Sequence, residues 1–308
     1  MPGISRGIFA NSFQKERIYH PGLFTVFAYR AALHKKRGSE MGRQPAVITD
    51  YAASFELLYM SSLMQDGVLE RLSGIDPDSD AFESLLSQLE YVSCGLSGIG
   101  TSNLSSLERS GEIINLLGRL CESEIRSLHG KMAVLGACGT PRKTAMSRAQ
   151  TFEGYYNATA SRLLKYSMLA GAHLSGEQTP HGRSEASLDS AGDHLSLSFG
   201  IWSDAVKASN AIKGERRRVF ILDIIPLSMV SGQKIESLAA DGMFLDRTRI
   251  PRGLQSRSTF RRIDGIAEKY YKKGSRLLES AYGDSAKWLL EYSDMCRRAI
   301  RKDAGYED

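Results

Sequence analysis

Phe260-Arg261-Arg262-Ile263-Asp264-Gly265-Ile266-Ala267-Glu268-Lys269-Tyr270-Tyr271-Lys272-Lys273-Gly274-Ser275-Arg276-Leu277-Leu278 interleaves apolar and basic residues with a helical period rather than the alternation of a strand. Placed on a helix at about 100° per residue, Phe260, Ile263, Ala267, Tyr270, Tyr271, Leu277, Leu278 and Ala281 share an apolar sector. Arg261, Arg262, Lys269, Lys272, Lys273 and Arg276 fall on a separate arc of about 120°. Such a helix buries one side and directs a row of cations outward. Arg247, Arg249, Arg252 and Arg257 extend that row along the preceding Gly/Pro-containing loop.

The same period recurs outward from this segment. Ile48, Ala52, Phe55, Tyr59 and Leu63 form one stripe, and Phe82, Leu85, Leu89, Val92 and Leu96 another. Leu107, Ile114, Leu117, Cys121, Ile125 and Leu128 form a third, and Ala149, Phe152, Tyr156, Thr159, Leu163 and Tyr166 a fourth. Asp76-Pro77-Asp78 and Thr140-Pro141 have the chemistry of helix starts. The Gly- and Ser-rich run from Cys94 to Ser106 reads as a loop. Val219 to Pro226 reads equally as a buried strand or a buried helical turn. The fold class predicted is all-α: an N-terminal arm (1–45), a helical lobe (46–170), a loop or linker (171–199) and a basic helical lobe (200–308), with a basic cleft between the lobes.

Charge is unevenly divided. Residues 1–126 carry 12 Lys/Arg against 15 Asp/Glu, whereas residues 127–308 carry 28 against 20. A field so concentrated predicts a polyanionic partner. Two further clusters accompany the cationic helix: Arg142, Lys143 and Arg148 near Thr140-Pro141, and Arg216, Arg217 and Arg218 beside Lys213. No stretch approaches the roughly 18 consecutive apolar residues of a membrane span, the best run, Gly22 to Tyr29, being cut by Arg30. Neither this run nor its flanks have the pattern of a signal peptide.

Enzyme motifs are weak. Gly136 to Thr144 lacks the Gly-Lys adjacency of a phosphate-binding loop. His173, Glu177, His181, Glu185, Asp189, Asp193 and His194 lack tight metal-ligand spacing, and Cys94, Cys121, Cys138 and Cys296 form no CxxC pair. These thiols read as reduced residues of packed helices. No cofactor and no catalytic residue are predicted.

Thr259-Phe260-Arg261-Arg262-Ile263-Asp264 resembles a stretch in the nucleoproteins of tospoviruses, plant-infecting members of the segmented negative-strand RNA viruses. The resemblance covers six residues. It implies Arg261 and Arg262 as RNA contacts and oligomers that exchange an arm. The sequence reading is therefore a non-enzymatic viral nucleoprotein coating single-stranded RNA through phosphate contacts, with homo-oligomers formed by the N-terminal arm. A viral polymerase is a further partner, and the host cytoplasm or nucleus, or the virion, is the location. Two alternatives accompany it: a Mg²⁺-dependent nucleic-acid-processing enzyme using Asp193, Asp223 and Asp246, and a matrix-like protein whose basic face meets anionic lipid.

Overall fold

The computed structural model describes residues 19–37, 46–72, 80, 84, 87, 95, 97–104, 110–139, 151–175, 183–214, 218–233 and 244–306. Its architecture is all-α. The helices are α1 (Pro21–Arg37), α2 (Ala46–Leu72), α3 (Ser110–Gly139), α4 (Phe152–Thr159), α5 (Leu163–Leu174), α6 (Arg183–Lys213), α7 (Ile221–Ser231), α8 (Arg257–Tyr282) and α9 (Lys287–Asp303). Among the described residues the only sheet is β1 (Arg218–Phe220) paired antiparallel with β2 (Phe244–Asp246), Val219 opposite Leu245.

Two compact units result, and neither is contiguous in sequence. The first draws on Met1–Leu120, Leu163–Gly192 and Leu277–Ser293; the second on Cys121–Arg162, Asp193–Arg276 and Asp294–Asp308. In the first unit α1 lies against α2 and α5. Phe24, Ala28, Ile48, Tyr51, Phe55, Leu164 and Met168 are buried there. Close approach of the helices depends on glycine: a Cβ on Gly22 would stand 2.5 Å from the carbonyl oxygen of Ala52, and one on Gly171 would overlap that of Thr25. Glu56 of α2 accepts from the Gly22 N–H at 3.0 Å and lies 3.3 Å from His20 Nδ1, which places a carboxylate on the positive end of α1.

Part of the expected arm is thus core. Phe24 is fully buried in its own unit, edge-on to Tyr292 at 5.0 Å between centroids, because the apolar face of α1 finds α2 and α5 without recourse to a neighbouring subunit. Phe9 and Phe13 lie outside the described residues.

Three local expectations change. The stretch 171–199 is helical from Arg183 onward: its frequent Ser, Asp and His mask the buried set Leu188, Ala191, Leu195, Phe199 and Trp202. Within Cys94–Ser106, residues 97–104 are also helical, Leu104 being buried and Gly100 backing onto Ser54 and Leu58 of α2. Tertiary packing here overrides glycine's low helix propensity. On α3 the stripe divides: Leu117 is buried with Leu116 and Leu120, while Ile114, Cys121, Ile125 and Leu128 are exposed. The ambiguous run 219–226 holds both structures, Val219 and Phe220 in β1 and Ile221 onward in α7, which ends at Gly232 in the left-handed region (φ 75°).

Candidate functional site

In the second unit, one helix spacing sets the chemistry. Asp193, Gly200, Asp204 and Lys207 lie three, four or seven residues apart on α6 and share a face. Helix α4 is held at its start by Thr151, whose hydroxyl accepts from the Gly154 N–H at 3.0 Å, and it turns extended at Ala160. That break delivers Tyr155 and Tyr156, both buried, to the surroundings of Asp204.

Burial pushes both phenols well above their ordinary ionisation range, and the negative charge of Asp204 adds to it. Lys207 acts in the opposite sense on Tyr155, and Asp223 reinforces the shift. Both hydroxyls are protonated at neutral pH, and that of Tyr156 is buried without a hydrogen-bond partner.

A charged rim lies in the same unit. Arg162 pairs with Asp193 at 3.2 Å, and the Tyr270 hydroxyl donates to Glu153 at 3.2 Å. His194 stacks near Tyr270 at 5.8 Å, and its buried Nδ1 has no hydrogen-bond partner. Burial, with Lys273 close by, lowers its pKa and favours the neutral ring. These cations, phenols and the neutral imidazole all belong to the second unit.

A second polar group belongs to the first unit. Lys165, only 7% exposed, donates to Asp189 Oδ2 at 2.8 Å, and Arg119 donates to Oδ1 of the same carboxylate at 3.1 Å. One carboxylate shared by two cations leaves that group net positive.

The carboxylates proposed for Mg²⁺ do not assemble. Asp193 is engaged by Arg162. Asp246 caps the short 3-10 turn Arg247–Arg249, accepting from the Thr248 N–H at 2.9 Å and its hydroxyl at 2.7 Å, and Asp223 sits in the first turn of α7. Among the described residues no three His, Cys, Asp or Glu side chains come together to hold a metal ion.

The cationic row lies where its period places it. Arg249, Arg252, Arg257, Arg261, Arg262, Lys269, Lys272, Lys273 and Arg276 are exposed, and Arg247 is half-buried. Ile263, Ala267, Tyr271, Leu278 and Ala281 are buried on the other side. Not every cation is unengaged: Arg262 donates to the Val230 carbonyl at 3.1 Å, and Lys272 lies 3.9 Å from Glu268. Arg142, Lys143, Arg148, Arg216 and Arg217 lie outside the described residues, and of Arg218 only the backbone, in β1, is described.

Sequence reasoning missed the network beneath this row. Asp264 accepts from Trp202 Nε1 at 2.9 Å and from Arg301 Nε and Nη2, both at 3.0 Å; Glu268 accepts from Arg297 at 3.0 Å. The signal was present: two acids four apart on α8 face two arginines four apart on the antiparallel α9.

No family model matches the chain, and no curated protein matches it. Solved structures do. The chain is similar to a geranylgeranyl pyrophosphate synthetase from the archaeon Geoglobus acetivorans, with a TM-score of 0.62 and 14% identity over 96% of this chain and 91% of that one. Matches to geranylgeranyl pyrophosphate synthases of Pyrococcus horikoshii (TM-score 0.48, 14% identity, 98% and 89% covered) and Corynebacterium glutamicum (0.45, 15%, 93% and 79%) are looser. This likeness overturns the viral nucleoprotein reading, and with it the non-enzymatic RNA coat, the single-stranded RNA and viral polymerase partners and the arm-exchanged oligomer. A six-residue resemblance is outweighed by a fold shared along nearly the whole chain: that of the Geoglobus acetivorans synthetase.

Proposed function

We propose that the protein binds isoprenoid diphosphates and is a prenyltransferase. The observation that carries this reading is the likeness to a geranylgeranyl pyrophosphate synthetase over 96% of the chain. The substrate class has two physical demands, a cationic and hydrogen-bonding environment for the diphosphate and apolar cover for the isoprenoid chain. In the second unit Lys207, Arg162 and Lys273 supply positive charge, and the protonated hydroxyls of Tyr155 and Tyr156 supply donors. Trp202, Phe199 and Ile201, on the same helix as Lys207, are fully buried apolar side chains. No step is assigned to a metal ion.

The test is release of pyrophosphate when purified protein receives an allylic isoprenoid diphosphate together with isopentenyl diphosphate. Turnover above the protein-free rate is expected. Lys207→Ala should weaken apparent substrate affinity roughly tenfold, the scale of one charge-assisted contact. If no pyrophosphate is released with any chain length from C5 to C20, the prenyltransferase reading fails.

A further inference from the structure

Within the second unit, the face of α8 turned from the core is cationic along its length. Arg261, Lys269, Lys272 and Arg276 are exposed on it, with Arg262 and Lys273 at one edge. From Arg261 to Arg276 the helix advances about 22 Å. The carboxylates of this stretch do not neutralise the face. Asp264 and Glu268 are its only acids in sequence, and both turn to α9. Asp264 accepts from Arg301 Nε and Nη2, and Glu268 accepts from Arg297, all at 3.0 Å. Lys272 lies 3.9 Å from Glu268 at the border of the face. Aromatic side chains of the helix are turned away as well. Tyr271 is buried with Ile263 and Ala267, Tyr270 donates to Glu153, and Phe260 lies 6.4 Å from Tyr306 between centroids. None of the large exposed apolar side chains among the described residues is on α8.

We propose that this face docks the protein on an anionic phospholipid surface, its cations opposite the headgroups. Charge complementarity selects an anionic occupant, and the shape of the row selects which one. A lone phosphate is small beside a face of this length, so the row calls for an array of anions. Single-stranded nucleic acid takes much of its affinity from bases stacked on aromatic rings, and this face presents none. Lipid headgroups need neither stacking nor a fixed spacing, because in a fluid leaflet they move to meet cations that the helix holds still. Each Lys or Arg near such a surface strengthens binding about fivefold, and the gain fades within a Debye length. With no large apolar side chain on the helix to insert, the attachment is electrostatic and reversed by salt.

The test is sedimentation of full-length protein with vesicles of phosphatidylcholine alone, or of three parts phosphatidylcholine to one part phosphatidylserine. At about 0.1 M salt the wild type should sediment with the anionic vesicles and not with the neutral ones. At about 1 M salt it should be released, the Debye length having shrunk from about 10 Å to about 3 Å. The triple variant Arg261→Gln, Lys269→Gln, Arg276→Gln should bind on the order of a hundredfold more weakly, about fivefold for each cation, with unchanged helicity and melting temperature. Removing the same charge at Lys213, Arg298 and Lys302, exposed residues of the second unit outside α8, should weaken binding about fivefold or less in total. Equal losses in the two triple variants would overturn the proposal. So would equal sedimentation with both kinds of vesicle, or none with the anionic kind at about 0.1 M salt. Retention of the wild type by an oligouridylate, with no binding to anionic vesicles, would assign the face to nucleic acid instead. If the first triple variant loses helicity, Lys269→Gln alone is read in its place, and an unchanged affinity overturns the proposal. Pyrophosphate release plays no part in these readouts, so this proposal and the prenyltransferase reading stand or fall separately.

Discussion

Asp264 shows how much one carboxylate can organise. It accepts from the indole of Trp202 and from two nitrogens of Arg301, joining α6, α8 and α9 of the second unit at one point. The Arg301 contacts are bidentate and charge-assisted, the stronger kind of hydrogen bond. Asp264→Asn keeps an acceptor for Trp202 but loses the charge facing Arg301, and should lower stability in urea titration by about 1–2 kcal/mol. Asp264→Ala leaves both partners unsatisfied and should cost about 2–4 kcal/mol. Equal, negligible losses would show that the network is ornamental. The phenols set the alkaline limit. Tyr155 and Tyr156 ionise well above the unfolded value of 10.0, so above pH 10 the unfolded chain releases protons that the folded chain retains. Stability is then complete below about pH 10 and falls as pH rises beyond it. Absorbance at 295 nm should show these two phenols titrating only with the loss of helicity; their ionisation in a fully helical protein would contradict the placement.

At the scale of elements, what the sequence revealed depended on whether a pattern was carried by side chains or by neighbours. The α8 period was plain because its two faces differ in charge, and the buried and exposed residues follow it. The helical nature of 183–199 and 97–104 was hidden because Ser, Gly, Asp and His dilute the apolar stripe, and the cover comes from residues distant in sequence. On α3 the stripe was visible, but which of its residues are covered was not: Leu117 is buried while Ile114, Cys121, Ile125 and Leu128 are exposed. Close packing between α1 and α5 was equally invisible, as it depends on a hydrogen atom in place of a side chain. Gly171→Ala would drive a methyl group into the Thr25 carbonyl and should cost about 1–3 kcal/mol despite alanine's better helix propensity. A thermal melt at or above wild type would refute that packing.

For the whole molecule, charge was the misleading guide. The cationic row, the six-residue resemblance and the excess of Lys and Arg beyond residue 127 all suggested a polymeric phosphate. The row's position was legible and its meaning was not: surface cations report an anion-attracting field, and that field does not distinguish RNA from a diphosphate or from solvent. Of the candidate site, Tyr156 was noted as part of an apolar stripe, while Asp204 and Lys207 carry no motif and acquire significance only when α4 and α6 bring them near the tyrosines. Fold likeness over nearly the full chain replaces the charge argument. Among the described residues no helix is long and apolar enough to cross a membrane. The most direct measurement is calorimetric titration of the purified protein with geranylgeranyl diphosphate, set against geranylgeraniol and inorganic pyrophosphate. The account predicts saturation at one molecule per chain, with the diphosphate binding at least about tenfold tighter than either fragment, because head and tail are held together. Equal affinity for the alcohol, or no saturable heat with the diphosphate, would contradict it.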